Sequence, residues 1–443
     1  MANYFKTIIS VFVFAVVFTS CNDELDIKPK GAITPAEVGN NETSALLSGV
    51  YRSFQNNPGA YSFIMGDLMG EDLTNSNLFN SGDLVDFVQG TIKPNNTIIY
   101  QMWSGYYNGV FNCNTLLDVV SKLPANSSNA TIAASAKYFR AYAYFNLVTK
   151  WGGVPILKSP TTLPQKRNSP EEVWAFIKLD LQDAINGLPS RSAIASSPQY
   201  TVSKEAAQAL MARVALYTAD NTTAKNMAEA VISNSSLRFE TDFSNVYHKI
   251  GNTETIFAFR YLSTETIPVG GTSVPQSIYG LFTTNGYPQR GSYVYYPTIN
   301  FQNQFSDSDV RKNVSFTNFQ GLVMVNKFWN YEPINISRLS EMYLISAEAQ
   351  GLSGLQRLNE LRSARGLAAL TASTDSAFLD LIMSERRREL FCENHRFYDL
   401  VRTGKALSTL SFITNAQKLL LPIPQQEIDI VNNPTDFSQN PGY

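Results

Sequence analysis

The sequence predicts a mainly α fold: tetratricopeptide-like helix pairs forming a single scaffold, with an irregular insertion of loops and short strands. Three observations predict it. Apolar residues recur at helical spacing through most of the 443 residues. Alanines occupy the packing positions of successive helix–turn–helix pairs, where small side chains let two helices approach closely. A glycine-rich stretch at about 237–335 interrupts this pattern with strand-like runs at Thr255–Tyr261, Tyr293–Pro297 and Leu322–Trp329. At 44% hydrophobic the chain can bury a large core.

The elements follow in order. A helix is expected over Thr43–Phe54, carrying Leu46, Leu47, Val50 and Tyr51, and residues 56–97 read as loop. Helical spacing returns over Ile98–Leu123. From Ile132 to Trp151 the chain is apolar nearly all round, the mark of a helix buried on most sides, and Gly152–Gly153 ends it. Ser169, Pro170 and Glu172 form a capping box with proline at the first helical position, opening a stripe from Val173 to Leu188. Ser203 precedes a helix with Ala206, Leu210, Val214 and Tyr217. After a break at Asp220–Asn221, Ala224, Met227, Ala228 and Val231 continue at helical spacing. A late pair runs from Leu339 to Ala347 and from Leu355 to Leu361, turned by Gly351–Gly354.

The N-terminus carries an address. Lys6, the apolar run Ile8–Phe18 and the small pair Thr19–Ser20 lay out a secretory signal peptide, too short to span a bilayer. Phe18–Thr19–Ser20–Cys21 resembles a bacterial lipoprotein lipobox; the alternative is an ordinary signal peptide cleaved near a coincidental cysteine. This divides the chain into a signal peptide (1–20), a lipidated tether (21–40) and a binding domain (41–443), with Cys21 as the lipidation site. Asp23, Glu24 and Asp26 follow Cys21; such acidic leaders resemble a signal for export to the outer surface. Cys113 and Cys392 read as two buried free thiols.

Composition excludes some functions. A net charge of −2 without any lysine- or arginine-rich block argues against a nucleic-acid partner. The two histidines, His248 and His395, have no partners at metal-ligand spacing, and no phosphate loop or nucleophile elbow appears. No cofactor is expected. Asp67, Glu71 and Asp72 offer a glycosidase-like carboxylate pair or weak calcium candidates, against a polar surface loop as the favoured reading. Arg386–Arg388 lie among Glu385, Glu389 and Glu393 at i,i+3 and i,i+4 spacing, which predicts internal salt bridges.

Taken in order along the chain, these pieces resemble one family. They are Cys21 with Leu25–Pro29, Trp103 through Asn114–Leu117, and Ala136 through Trp151–Gly152–Gly153–Val154–Pro155. Ser169–Val173 and Ala206–Tyr217 follow, then Arg338–Leu344 with Ala347–Ala349, Leu358–Arg362 and Glu385–Leu390. Arg396, Asp399–Leu400, Arg402, Gly404, Leu421–Pro424 and Asn440–Tyr443 complete the match. It resembles the SusD/RagB-like lipoproteins of Bacteroidetes. Phe391–Cys392–Glu393 is a small departure. The resemblance implies a non-catalytic, outer-membrane, cell-surface lipoprotein. It would capture a glycan, or sometimes a peptide, and sit as a lid on a SusC-type TonB-dependent transporter.

The residues themselves suggest where a ligand would lie. Tyr279, Phe282, Tyr287, Tyr293, Tyr295 and Tyr296 surround Asn285, Gln289 and Arg290, and Asn75, Asn77 and Phe79 add a second wall. Aromatic rings suit the C–H faces of sugars, while amides and a guanidinium suit their hydroxyls. Alternation along the strand places Tyr293 and Tyr295 on one face and Tyr296 on the other. The alternatives are a peptide receptor, an extracellular glycoside hydrolase using Asp67, Glu71 or Asp72, and a purely structural transporter subunit.

Overall fold

The structure, a computed structural model, describes residues 42–76, 82–262, 266–269, 272–275, 278–283, 293–328, 332–431, 433 and 435–443. Among them are nine helices of ten or more residues: α1 Thr43–Asn56, α2 Thr97–Ser121, α3 Ser127–Trp151, α4 Pro170–Gly187, α5 Lys204–Tyr217, α6 Asn221–Ile232, α7 Leu339–Ala349, α8 Leu355–Ala364 and α9 Asp375–Glu389. The protein is mainly helical, and neighbours in sequence pack in space: α3 on α2 and α4, α5 on α6, α7 on α8, with α6 also meeting α7.

Local chemistry explains the helix ends. The Ser169 hydroxyl accepts the Glu172 N–H (3.2 Å), and the Glu172 carboxylate accepts the Ser169 N–H (2.8 Å). Asn96, Asn126, Ser203, Asp220 and Thr374 cap α2, α3, α5, α6 and α9 in the same way. Gly152, at φ 74°, ends α3 where a side chain would be strained. A Cβ on Gly105 would come within 2.4 Å of the Asn57 carbonyl, so α2 abuts the end of α1 only because that position is glycine.

Packing follows the sequence pattern. α3 is buried on all sides, and Phe139 stacks on Phe54 (5.3 Å) while its edge meets Tyr51 (4.5 Å) and Phe257 (6.0 Å). Ala206, Ala207, Ala209, Ala212 and Ala215 of α5 and Ala224 and Ala228 of α6 are fully buried. Arg140 of α3 forks onto Asp180 of α4 (2.7 and 2.8 Å) and reaches Asn114 of α2 (2.6 Å). The Trp151 indole donates to the Pro422 carbonyl (2.9 Å), which fastens the C-terminal segment to α3. Cys113 and Cys392 are free and buried, as read from the sequence.

Residues 57–76 and 82–96 are more regular than the loop expected over 56–97. Short turns at Ala60–Phe63 and Met65–Leu68 bury Ile64, Met65 and Leu68, and a helix spans Gly82–Gln89. The run is too short for a periodic signal, so its burial is a tertiary effect.

Among the described residues, eight strands form four antiparallel pairs: β1 (Leu73–Asn75) with β5 (Tyr295–Pro297), β2 (Thr255–Phe259) with β8 (Ile334–Arg338), β3 (Thr266–Val269) with β4 (Thr272–Pro275), and β6 (Phe316–Phe319) with β7 (Leu322–Val325). Three of the four lie within or at the edge of the expected insertion. Residues 334–338 lie outside the strand-like runs expected from the sequence; they form β8 by pairing with the fully buried β2.

A candidate ligand-binding face at the β1–β5 seam

The β1–β5 pair joins two segments that the sequence singled out separately. Thr74 pairs with Tyr296 and Asn75 with Tyr295. The Ser76 N–H extends the seam by donating to the Val294 carbonyl (2.7 Å), and its hydroxyl donates to the Tyr293 carbonyl (2.5 Å). The Tyr293 N–H donates to Thr283 (2.9 Å), and the Val294 N–H to Leu281 (2.8 Å). Three stretches therefore converge, the first far in sequence from the other two. Asn77, Phe79, Tyr287 and Arg290 lie outside the described residues, as does the side chain of Tyr279.

Burial sorts the remaining aromatics, and three of them differ from the exposed platform expected. Tyr295 is fully buried; its hydroxyl donates to the Leu84 carbonyl (2.9 Å) and its ring meets Tyr61 edge-on (6.3 Å). Phe282 is fully buried and stacks on Phe328 (6.2 Å). Tyr293 is 6% exposed, with its hydroxyl donating to the Val323 carbonyl (3.0 Å). Tyr296 and Asn75 are half-buried and open on the seam.

The expected alternation also fails. The rings of Tyr293 and Tyr296 stack at 5.9 Å with 13° between planes, instead of facing opposite ways. The reason is local: Tyr293 sits at φ 47°, in the left-handed region, and the strand begins only at Tyr295. Period-two logic does not reach a residue outside the ladder. Burial, and then the neighbouring Tyr296, push the Tyr293 phenol up to about 12, so it stays neutral across the physiological range.

The carboxylates Asp67, Glu71 and Asp72 are each engaged by groups of the protein itself. Asp67 is fully buried and accepts the backbone N–H groups of Cys392 (2.8 Å) and Asn394 (2.9 Å). Those two residues have φ of 57° and 65°, so Asp67 holds a strained turn in place. Asp72 is fully buried and takes Arg387 (2.6 Å), while Glu71 accepts the Ser411 hydroxyl (2.6 Å). Among the described residues no group of three or more His, Cys, Asp or Glu could hold a metal ion. His395 is buried; burial first, partly offset by Glu341, lowers it to about 4, so it is a neutral core residue.

The arginine–glutamate cluster is internal but mostly not local. Arg388 does reach Glu385 at i,i+3 (2.9 Å). Arg386 instead binds Asp399 (2.7 Å) and Arg387 binds Asp72. Glu389 takes Arg311 (2.9 Å), Arg338 (2.7 Å) and Arg365 (2.7 Å), all four side chains being at most 1% exposed. Glu393 takes Arg338 (2.7 Å) and Lys327 (3.0 Å). Burial opposes ionisation of Glu393, but Arg338 and Lys327 overcome it and bring the carboxyl down to about 2. Arg311, Lys327 and Arg338 lie in or beside the insertion, whereas Glu385 and Glu389 belong to α9 and Glu393 follows it. The network clamps the insertion, and with it the seam, onto the scaffold.

Sequence reasoning missed one cavity of about 310 Å³. It lies between the start of α2 (Trp103, Ser104, Tyr107), residues 155–165 and the C-terminal residues Glu427, Ile430, Val431 and Phe437. Its walls come from three regions, each of which reads as ordinary helix or loop alone.

Residues 25–216 match a family model described as "Starch-binding associating with outer membrane", and residues 324–418 match the model of the SusD family. The chain belongs to the SusD/RagB-like family. SusD-like protein P38 of Formosa agariphila is 23% identical, with 99% of each chain covered. A SusD-like protein of Bacteroides ovatus is 23% identical over 68% of this chain and 64% of its own length. Among solved structures, a laminarin-binding SusD-like protein is 25% identical with TM-score 0.78, covering 91% of this chain and 100% of that one. Surface glycan-binding protein A from Bacteroides thetaiotaomicron in complex with laminarihexaose is 21% identical with TM-score 0.78, again covering 91% and 100%. Among the described residues no helix is long and apolar enough to cross a membrane.

Proposed function

We propose that this protein is a cell-surface lipoprotein that captures an oligosaccharide and delivers it to a SusC-type TonB-dependent outer-membrane transporter. The observation that carries the ligand assignment is the β1–β5 seam. It presents the half-buried Tyr296, backed by the stacked ring of Tyr293 and paired across the seam with the half-buried Thr74. A ring fixed from behind offers a flat apolar face at little entropic cost, and the neighbouring Thr74 hydroxyl can serve those of a sugar. Membership of a family described as starch-binding, and a fold shared with laminarin- and laminarihexaose-binding proteins, support a glucan as the first ligand class to try.

The reading involves binding without turnover. Residues 1–20 act as signal peptide, Cys21 carries the lipid, and residues 21–40 tether the binding domain 41–443 to the outer membrane, facing outward. Calorimetry with laminari- and malto-oligosaccharides tests the ligand. Tyr296→Ala should weaken binding about tenfold or more, consistent with loss of one stacking ring, while the melting temperature stays unchanged. Retained affinity in that variant, or release of new reducing ends during incubation, would defeat the proposal. Cys21→Ala should move the protein from the membrane fraction to the soluble one.

A further inference from the structure

The cavity at the start of α2 has a composition that selects a ligand. One wall is the aromatic group Trp103, Tyr107 and Phe437: Trp103 lies 5.1 Å from Tyr107 and 6.2 Å, edge-on, from Phe437. Leu157, Leu163 and Ile430 add aliphatic surface, and Leu163 and Ile430 are exposed at the rim. The volume of about 310 Å³ falls at the lower end of small-molecule sites, about 300–1,000 Å³.

Polar groups in the lining are unequally spent. The Tyr107 hydroxyl donates to the Pro155 carbonyl (2.9 Å), the Ser104 hydroxyl to Tyr100 (2.8 Å), and the Gln165 amide to Leu163 (3.5 Å). Trp103 and Glu427 line the same cavity. Several donors of the lining are therefore committed, the Thr161 and Thr162 hydroxyls remain, and the Glu427 carboxylate keeps lone pairs to offer. Among the described residues no lysine or arginine forms an ion pair with Glu427. Arg167, close enough to Tyr107 to be felt there, spends its guanidinium on the carbonyls of Gly153 (2.7 Å) and Ser438 (2.7 Å) and on the Asn440 side chain (2.8 Å).

A neutral sugar could use the Thr161 and Thr162 hydroxyls but would leave the charge of Glu427 uncompensated. An anion would meet Glu427. An ammonium group is donor-only and cationic, and it is attracted both by a carboxylate and by aromatic faces. We infer that this cavity binds a small organic ammonium ion, its charge on Glu427 and its apolar body against Trp103, Tyr107 and Leu157. The site is separate from the β1–β5 seam and does not depend on the glycan assignment. Burial raises the Glu427 carboxyl, with the Trp103 indole partly countering it, so ammonium binding should weaken on acidification as that carboxyl takes up a proton.

The test is calorimetry on the full chain in detergent with 2-phenylethylammonium, 2-phenylethanol and 3-phenylpropionate. The ammonium should bind at least tenfold more tightly than the alcohol, and the carboxylate should bind least. Glu427→Gln should remove the preference for the ammonium. Leu163→Arg, a change at an exposed rim position that leaves the core untouched, should abolish ammonium binding by supplying Glu427 with a fixed cation. Equal affinity for the ammonium and the alcohol, no binding of the ammonium at millimolar concentration, or full binding in Leu163→Arg would overturn the inference.

Discussion

The helical scaffold and the 237–335 insertion are held by different forces. In the scaffold, α5 and α6 meet through fully buried alanines, and α3 buries rings on every side. That is close packing, where each helix supplies a continuous apolar surface. Among the described residues the insertion has short two-stranded ladders, which are marginal alone in water. It is fastened by rings that join the scaffold's core, among them Phe257, Phe282, Tyr295 and Phe301, and in addition by charges: Arg311, Lys327 and Arg338 reach Glu385, Glu389 and Glu393 in the buried interior. The comparison teaches that a face built from loops can be held firmly when its rings join the scaffold's core and the ions that secure it are multiply paired. Such pairing carries a risk, because removing one partner strands the others in a medium that cannot solvate them.

Breaking the clamp should have the largest effect. Glu389→Ala leaves three buried guanidinium groups short of a partner and should cost about 3–5 kcal/mol, read as a fall in melting temperature and in the denaturation midpoint. A loss below about 1 kcal/mol would mean that packing, and not charge, holds the insertion. Next, neighbouring tyrosines on the seam should separate structure from binding. Tyr295→Ala opens a cavity in the core and should cost about 3 kcal/mol, whereas Tyr296→Ala should leave stability within about 0.5 kcal/mol and act on glycan affinity. Equal destabilisation by both would erase the distinction between a buried and a presented ring.

Acid should expose the clamp by a milder route. His395 is lowered from 6.5 to about 4 when folded, and Glu393 from 4.5 to about 2. Both shifts are downward, so the stability they contribute is full above the unfolded values. It is lost as pH falls, first between about 6.5 and 4 for His395 and then between about 4.5 and 2 for Glu393. Thermal melts from pH 7 to pH 3 should show this progressive loss, and His395→Phe should flatten its upper part. The smallest change belongs to the scaffold. Ser169→Ala removes the capping hydroxyl of α4 and should cost about 1 kcal/mol, measurable by chemical denaturation, with no change at the seam.

The helices were legible because their signals are local. Ser169, Pro170 and Glu172 announce the start of α4, and the apolar sides of α3 announce its burial before any partner is known. The seam was legible only as two unrelated segments. Nothing near Asn75 states that it will lie opposite Tyr295, and nothing near Tyr293 states that its backbone will turn left-handed and stack its ring on Tyr296. The acidic partners of Arg386 and Arg387 were misread as local because helical spacing offered suitable carboxylates, while tertiary packing brought in Asp399 and Asp72 instead.

Sequence alone therefore determined the helical class, the helix caps, the order of family motifs and the regions where ligand-facing residues would be sought. Those depend on backbone hydrogen bonding and on the side-chain repeat along one segment. Tertiary structure alone decided which tyrosine is core and which is presented, that Asp67 anchors a turn, and that Trp103, Tyr107 and Glu427 enclose a single cavity. Burial and charge pairing are properties of groups brought together from distant parts of the chain, and no local spacing encodes that meeting.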